Sequence, residues 1–267
     1  MSKLSLFALR SSSKGNATLI HNESCNILID CGISGKVLDE SLLELEIDPR
    51  TISAILITHE HSDHTKGVGI VARKYNIPIY ATFGTWECMK PSIGNLPAEN
   101  IRVIGEVESF MLGGITVTPF PIPHDAAQPV GYVLENSADK VSVVTDLGIM
   151  TEEIFQKIKG SSTVLLESNY DLFMLEAGTY PYDLKRRIKS NIGHLCKDDA
   201  ALVALDLAKN GTKEIILGHI SPENNYPDIA LKTTMLCLES HGFKTGNDIS
   251  LCIAQKDAVT APPLVTK

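Results

Sequence analysis

Along the first thirty residues, apolar and polar positions form short β-rich runs at 3–9, 17–21 and 26–30, parted by turn-forming residues with 11–15 as the first connection. Such runs predict a β-meander. Between 34 and 47 the period changes: Leu38, Leu42 and Leu45 share one helical face, and Asp48-Pro49 stops the helix. The chain then predicts a strand at 54–58, a helix at 65–75 and a strand at 77–81. Further strands are expected at 114–120, 130–135 and 141–145, buried ones at 163–167 and 214–217, and helices at 151–158, 197–209 and 228–240. The pattern is α/β, with mixed sheets and helices outside them.

Composition narrows this picture without changing it. With 267 residues, 43% of them hydrophobic and 21% charged, the chain has the makeup of a folded globular protein. No apolar run approaches the roughly 20 residues of a membrane span, and residues 1–10 lack the pattern of a signal peptide. A cytoplasmic protein without a membrane partner is expected. The six cysteines form no C-x-x-C pair and read as free thiols. There is no repeat or linker, so a single domain over 1–267 is expected, with 259–267, containing Pro262 and Pro263, as a loose tail. A net charge of −8 argues against an extended nucleic-acid-coating surface but leaves room for a local basic patch.

The chemistry concentrates after the strand at 54–58. His59-Glu60-His61-Ser62-Asp63-His64 packs three imidazoles and two carboxylates into six positions. His59 and His61 alternate and can face one point, while Asp63 and His64 fall where the chain turns into a helix and can face a second. Imidazole and carboxylate suit Zn, Mn or Fe, and the loop alone supplies too few ligands for two coordination shells. The remaining ligands must come from elsewhere in the chain.

His59 to His64 resembles the H-x-H-x-D-H hallmark of the metallo-β-lactamase superfamily, and the likeness extends over nearly the whole chain. Asp30 in Ile27-Leu28-Ile29-Asp30 looks like the first motif, His124 like the third, Asp146 in Thr145-Asp146-Leu147-Gly148 like the fourth, and His219 in Leu217-Gly218-His219-Ile220-Ser221 like the fifth. The resemblance implies an αββα sandwich of two mixed β-sheets flanked by helices. It implies two divalent metal ions, Mn or Zn with Fe as a third option. One would be held by His59, His61 and His124, and the other by Asp63, His64 and His219, with Asp146 bridging and Asp30 orienting the ligand loop.

Within the superfamily, His61 stands where oxygen- and nitric-oxide-handling diiron members usually have Glu, and Asp146 where lactamases often have Cys. Only 72 residues lie between Asp146 and His219, too few for the large cap that some RNA-processing members insert there. Glu167-Ser168-Asn169 and Gly193-His194-Leu195 resemble the nuclease branch, whose comparable Glu and His are thought to shuttle a proton. With His219, Ser221, Asn224 and Asn225 in a His-x-Ser-x-x-Asn-Asn run, they resemble the YycJ/WalJ group, regarded as DNA 5′-exonucleases. Cys196 departs from the Ser usual there, and Ser12-Ser13-Lys14 replaces a more Gly-rich loop.

The expectation is therefore a phosphodiesterase acting on nucleic acid, DNA in the first place, through a metal-bridging hydroxide. Asp63, Glu167 and His194 would be its catalytic residues and His194 the proton donor to the departing sugar oxygen. Ser221, Asn224 and Asn225, with the basic run Lys185, Arg186 and Arg187, are expected to contact the substrate. An RNase of the tRNA-processing type and a lactone, thioester or β-lactam hydrolase are the alternatives. The sequence leaves homo-oligomer formation open.

Overall fold

Chain order becomes spatial order in the first sheet of the computed structural model, which describes residues 2–261. The contacts divide the described chain into two units. The first comprises residues 2–121, Ala126–Asp139 and Gln255–Ala261; the second comprises Ile122–Asp125 and Lys140–Ala254.

In the first unit, β1 (Ser5–Arg10), β2 (Ala17–Asn22) and β3 (Cys25–Ile29) form the antiparallel meander that the sequence predicts. After helix α1 (Gly35–Glu44), β4 (Ile52–Leu56) lies parallel to β3. Then follow α2 (Ser62–Thr65), α3 (Val68–Tyr75), β5 (Ile79–Thr82), α4 (Phe83–Ile93) and β6 (Ile101–Ile104), giving the order β1-β2-β3-β4-β5-β6. Strands β7 (Phe110–Leu112), β8 (Ile115–Pro121) and β9 (Val130–Glu135) make an antiparallel strip. All five residues of β3 are buried, as a central strand covered on both faces requires. Leu28 and Ile55 pack with Leu38 and Leu42 of α1, Val71 of α3 and Trp86 of α4 in one core.

The second unit is a parallel βα array. Its elements are β10 (Lys140–Val144), α5 (Glu152–Ile158), β11 (Thr163–Glu167), α6 (Leu172–Ala177), α7 (Tyr182–Ile188), α8 (Lys197–Lys209), β12 (Glu214–Gly218), α9 (Pro227–Ser240) and β13 (Ser250–Ile253). Strands β10 to β13 pair in sequence order, each parallel to the next.

Three differences from the sequence reading have local causes. The helix expected over 65–75 is two helices, because the chain passes so close to Ile33 at Gly67 that a Cβ there would lie 1.9 Å from the Ile33 carbonyl oxygen. The helix expected to reach 47 stops at Glu44, where Leu45 caps it and Glu46 takes a positive φ. The loose tail expected from 259 is held at its start: Ala8 and Thr260 exchange two backbone hydrogen bonds of 2.9 Å, whereas 262–267 lie outside the described residues. No helix among the described residues is long and apolar enough to cross a membrane.

Candidate functional site

Parallel neighbours β3 and β4 both end at the histidine loop. Asp30, the first residue past β3, has φ 59°, a left-handed backbone that turns its carboxylate toward the end of β4. There Asp30 Oδ1 accepts from the Thr58 amide at 2.8 Å, and Oδ2 accepts from the Thr58 hydroxyl and from His64 Nδ1, each at 2.7 Å. The Thr58 hydroxyl, having given its proton to Asp30, accepts from His59 Nδ1 at 3.0 Å. One carboxylate thus sets the tautomers of two rings, leaving Nε2 of both His59 and His64 to bear a lone pair. His59 Nε2 lies 3.0 Å from His61 Nδ1, a distance at which two ring nitrogens need a proton or a cation between them.

Asp63 is placed by contacts that the sequence does not announce. Its backbone oxygen accepts from the Asn16 amide at 2.7 Å, and the Asn16 side-chain nitrogen lies 3.3 Å from Asp63 Oδ2 and 3.1 Å from His64 Nε2. Gly32 closes the same junction: a Cβ there would sit 1.6 Å from the Asp63 carbonyl oxygen, so only glycine fits. Glu60, between the two histidines, accepts from the Ala127 amide at 2.8 Å and faces away from ligand duty.

The second unit repeats the device at the ends of β10, β11 and β12. Asp146 and His219 follow β10 and β12 with φ of 61° and 53°. His219 Nε2 lies 3.3 Å from Asp146 Oδ1, and His219 Nδ1 lies 3.1 Å from Glu167 Oε1. The same Glu167 oxygen accepts from His194 Nδ1 at 2.7 Å, and its other oxygen accepts from the Leu147 amide at 2.9 Å. Asp146, Glu167, His194 and His219 offer ligand-type atoms that all lie within 4.8 Å of one another. Burial opposes ionisation of Glu167, but attraction to His194 and the hydrogen bonds from His194 and His219 outweigh it, holding this carboxyl well below the usual range. His124 gives Nδ1–H to the Gly193 carbonyl at 3.1 Å, and burial lowers its pKa, favouring the neutral ring that a ligand must be.

The expected substrate residues separate. Asn225 is buried and donates to the carbonyls of Ser168 and Asn169 at 3.0 and 3.2 Å. Ser221 accepts from the Asn224 amide at 3.2 Å, and the Asn224 carbonyl accepts from the Asp171 amide at 2.8 Å. The side chains of Asn225 and Ser221 brace loops, whereas Asn224 does so through its backbone and its side-chain nitrogen is buried without a hydrogen-bond partner. Lys185 Nζ donates to the carbonyls of Glu176 and Gly178, and Arg187 forms a two-pronged ion pair with Asp125, so both are engaged within the second unit. Arg186 is more accessible than Arg187, its side chain 73% exposed against 49%. Cys196 is the N-cap of α8, its sulfur accepting from the Asp199 amide.

The donor set fits divalent metal. Four histidines, His59, His64, His124 and His219, each commit Nδ1 to a protein partner and turn Nε2 toward other ligand-type groups, and ligating histidines carry such an outer partner almost always. Sequence reasoning missed Thr58 and Asn16 and quoted Asn169, which donates to the His219 carbonyl at 2.7 Å, as part of a motif without giving it a role. A Thr beside a ligand and an Asn in a turn are too common to stand out; only their adjacency to the motifs marked them.

The fold, two mixed β-sheets flanked by helices, and these donors define the class: the chain belongs to the Beta-lactamase superfamily domain family, whose profile matches residues 25–220. The metallo-beta-lactamase fold protein YhfI from Bacillus subtilis superposes with a TM-score of 0.71 at 15% identity, covering 97% of this chain and 99% of that one. Among curated relatives, the chain is 40% identical over 240 residues to Exodeoxyribonuclease YycJ of Bacillus anthracis, covering 89% of this chain and 90% of the relative. It is 35% identical over 260 residues to Exodeoxyribonuclease WalJ of Streptococcus pneumoniae, covering 96% and 95%.

Proposed function

We infer that this chain is a metal-dependent exodeoxyribonuclease that removes nucleotides from DNA 5′ ends. The observation that carries the reading is the Glu167–His194 pair, 2.7 Å apart beside Asp146 and His219, in a chain similar along most of its length to proteins named exodeoxyribonuclease. By the family's assignment, His59, His61 and His124 would hold one ion, Asp63, His64 and His219 the other, and Asp146 both. Divalent metal bound there supplies a water nucleophile at neutral pH and positive charge against the phosphoryl oxygens.

The chain's own residues supply orientation and the second proton. Glu167 accepts the Nδ1 proton of His194 and supports the doubly protonated ring, whose Nε2 proton is the one given to the departing sugar oxygen. The same carboxylate fixes Nδ1 of His219, so proton donor and ligand are set by one group. Asp30 plays the matching part for His64 and, through Thr58, for His59. The chain crosses between the two units more than once, which supports treating them as one domain.

The test is the purified protein, loaded separately with Mn and with Zn, incubated with 5′- and 3′-labelled DNA and RNA. Release of labelled nucleotides from the DNA 5′ end is expected. Cleavage confined to RNA, or hydrolysis confined to a lactone panel, would replace the reading.

A further inference from the structure

Four aromatic side chains stand exposed among the described residues, and three of them share one region of the second unit. Phe173 is 84% exposed, Tyr182 76% and Tyr226 60%. An apolar ring left in water gains nothing from folding, so several of them on segments whose backbones are tied together call for a ligand. Their backbones are anchored to one another. The Asp171 amide donates to the Asn224 carbonyl at 2.8 Å, with Phe173 two residues beyond the one and Tyr226 two residues beyond the other. Lys185 Nζ donates at 2.7 and 2.8 Å to the carbonyls of Glu176 and Gly178, tying α7, which begins at Tyr182, to the end of α6, which carries Phe173. At the other end of α7, the His194 amide donates to the Ile188 carbonyl at 2.9 Å.

We propose that Phe173, Tyr182 and Tyr226 form a stacking platform for unpaired nucleobases, with Arg186 as its backbone-binding cation, so that the chain takes a single-stranded end of its substrate. This rests on the nuclease reading. Aromatic rings beside a free cation are the chemistry by which single strands are held, since every base has a π-face whatever the sequence. Bases inside a duplex are stacked on each other and do not offer that face. Arg186 meets the charge requirement: its ion pair with Asp183, at 3.9 Å with both side chains exposed, is weak enough to give way to phosphate. Lys185 and Arg187 are held in the contacts described above.

The experiment uses the metal-loaded full chain and three phosphorothioate probes read by fluorescence anisotropy: single-stranded oligo(dT), a flush duplex, and an abasic strand with the same backbone. Phe173→Ala, Tyr182→Ala and Tyr226→Ala should each weaken oligo(dT) binding by roughly 5- to 150-fold. They should raise KM on single-stranded DNA more than they lower kcat, and leave abasic-strand binding unchanged. Tyr182→Phe and Tyr226→Phe should bind like wild type, and Arg186→Ala should weaken the oligo(dT) and abasic strands alike. The platform is overturned if the triple alanine variant binds oligo(dT) as wild type does, or loses the abasic strand equally. A variant that changes oligomeric mass while keeping strand binding makes the patch a protein contact instead. If wild type neither binds nor cleaves any DNA, the nuclease reading fails first and the platform with it.

Discussion

Asp30, Asp146 and His219 each close a strand with a positive φ, a backbone state that costs free energy in any residue but glycine. Asp, Asn and His tolerate it best, and here it swings a side chain off the strand axis onto a shared point. For Asp30 the consequence is measurable. Asp30→Asn keeps the turn but replaces one accepting oxygen with a donor, which cannot receive from both Thr58 and His64. Metal affinity should fall by roughly 10- to 100-fold, read by calorimetric titration of the metal-free protein; wild-type affinity would remove Asp30 from the ligand-orienting role. His194→Ala should act differently, retaining metal while lowering turnover on DNA by roughly 100- to 10,000-fold. A chemically activated leaving group, which needs no proton, should recover most of that loss. An equal deficit on both substrates would mean that the histidine is structural.

At the scale of elements, α8 carries the plainest forecast. Its N-cap is Cys196, whose sulfur accepts weakly from the Asp199 amide, where a serine hydroxyl would accept more strongly. Cys196→Ser should stabilise the fold by about 0.5–1 kcal/mol in urea denaturation, with metal content unchanged; lower stability would show that the thiol's packing outweighs its capping. α8 was legible because a regular apolar face runs through it and Asn210 follows its last residue, and β9 and β11 were legible because short apolar runs stop at turn residues. By contrast, α4 was hidden by Gly84 and Pro91, and its start depends on the Thr82 cap. β6 was hidden because its residues are mostly exposed, so pairing with β5 rather than an apolar pattern makes it a strand. The site divides in the same way. Residues 59–64 are legible because ligand density needs no context. Asp30, Asp146 and His219 each depend on a backbone turn that no local pattern encodes, and only the family resemblance singled them out.

For the molecule as a whole, all six cysteines are free thiols, yet their environments differ enough to report on global unfolding. Cys88 is exposed, whereas burial in β13 pushes the Cys252 thiol from 9.0 up to about 12. Because the reactive species is the thiolate, a thiol reagent at pH 8 should modify Cys88 rapidly and the half-buried Cys252 much more slowly, with fast labelling of Cys252 only once the chain unfolds. The same shift has a sign in stability. The folded value lies above the unfolded one, so the unfolded chain loses its proton first as pH rises. The contribution of Cys252 is intact below pH 9.0 and is lost as the pH climbs toward about 12. Over that window wild type should lose up to about 1.4 kcal/mol per pH unit more than Cys252→Ser, which has no thiol to ionise. Urea midpoints of the two proteins, measured from pH 7.5 to 10.5, should converge as pH rises. Parallel curves, with Cys252 labelled as fast as Cys88, would place this thiol at the surface and open the packing of β13 to question.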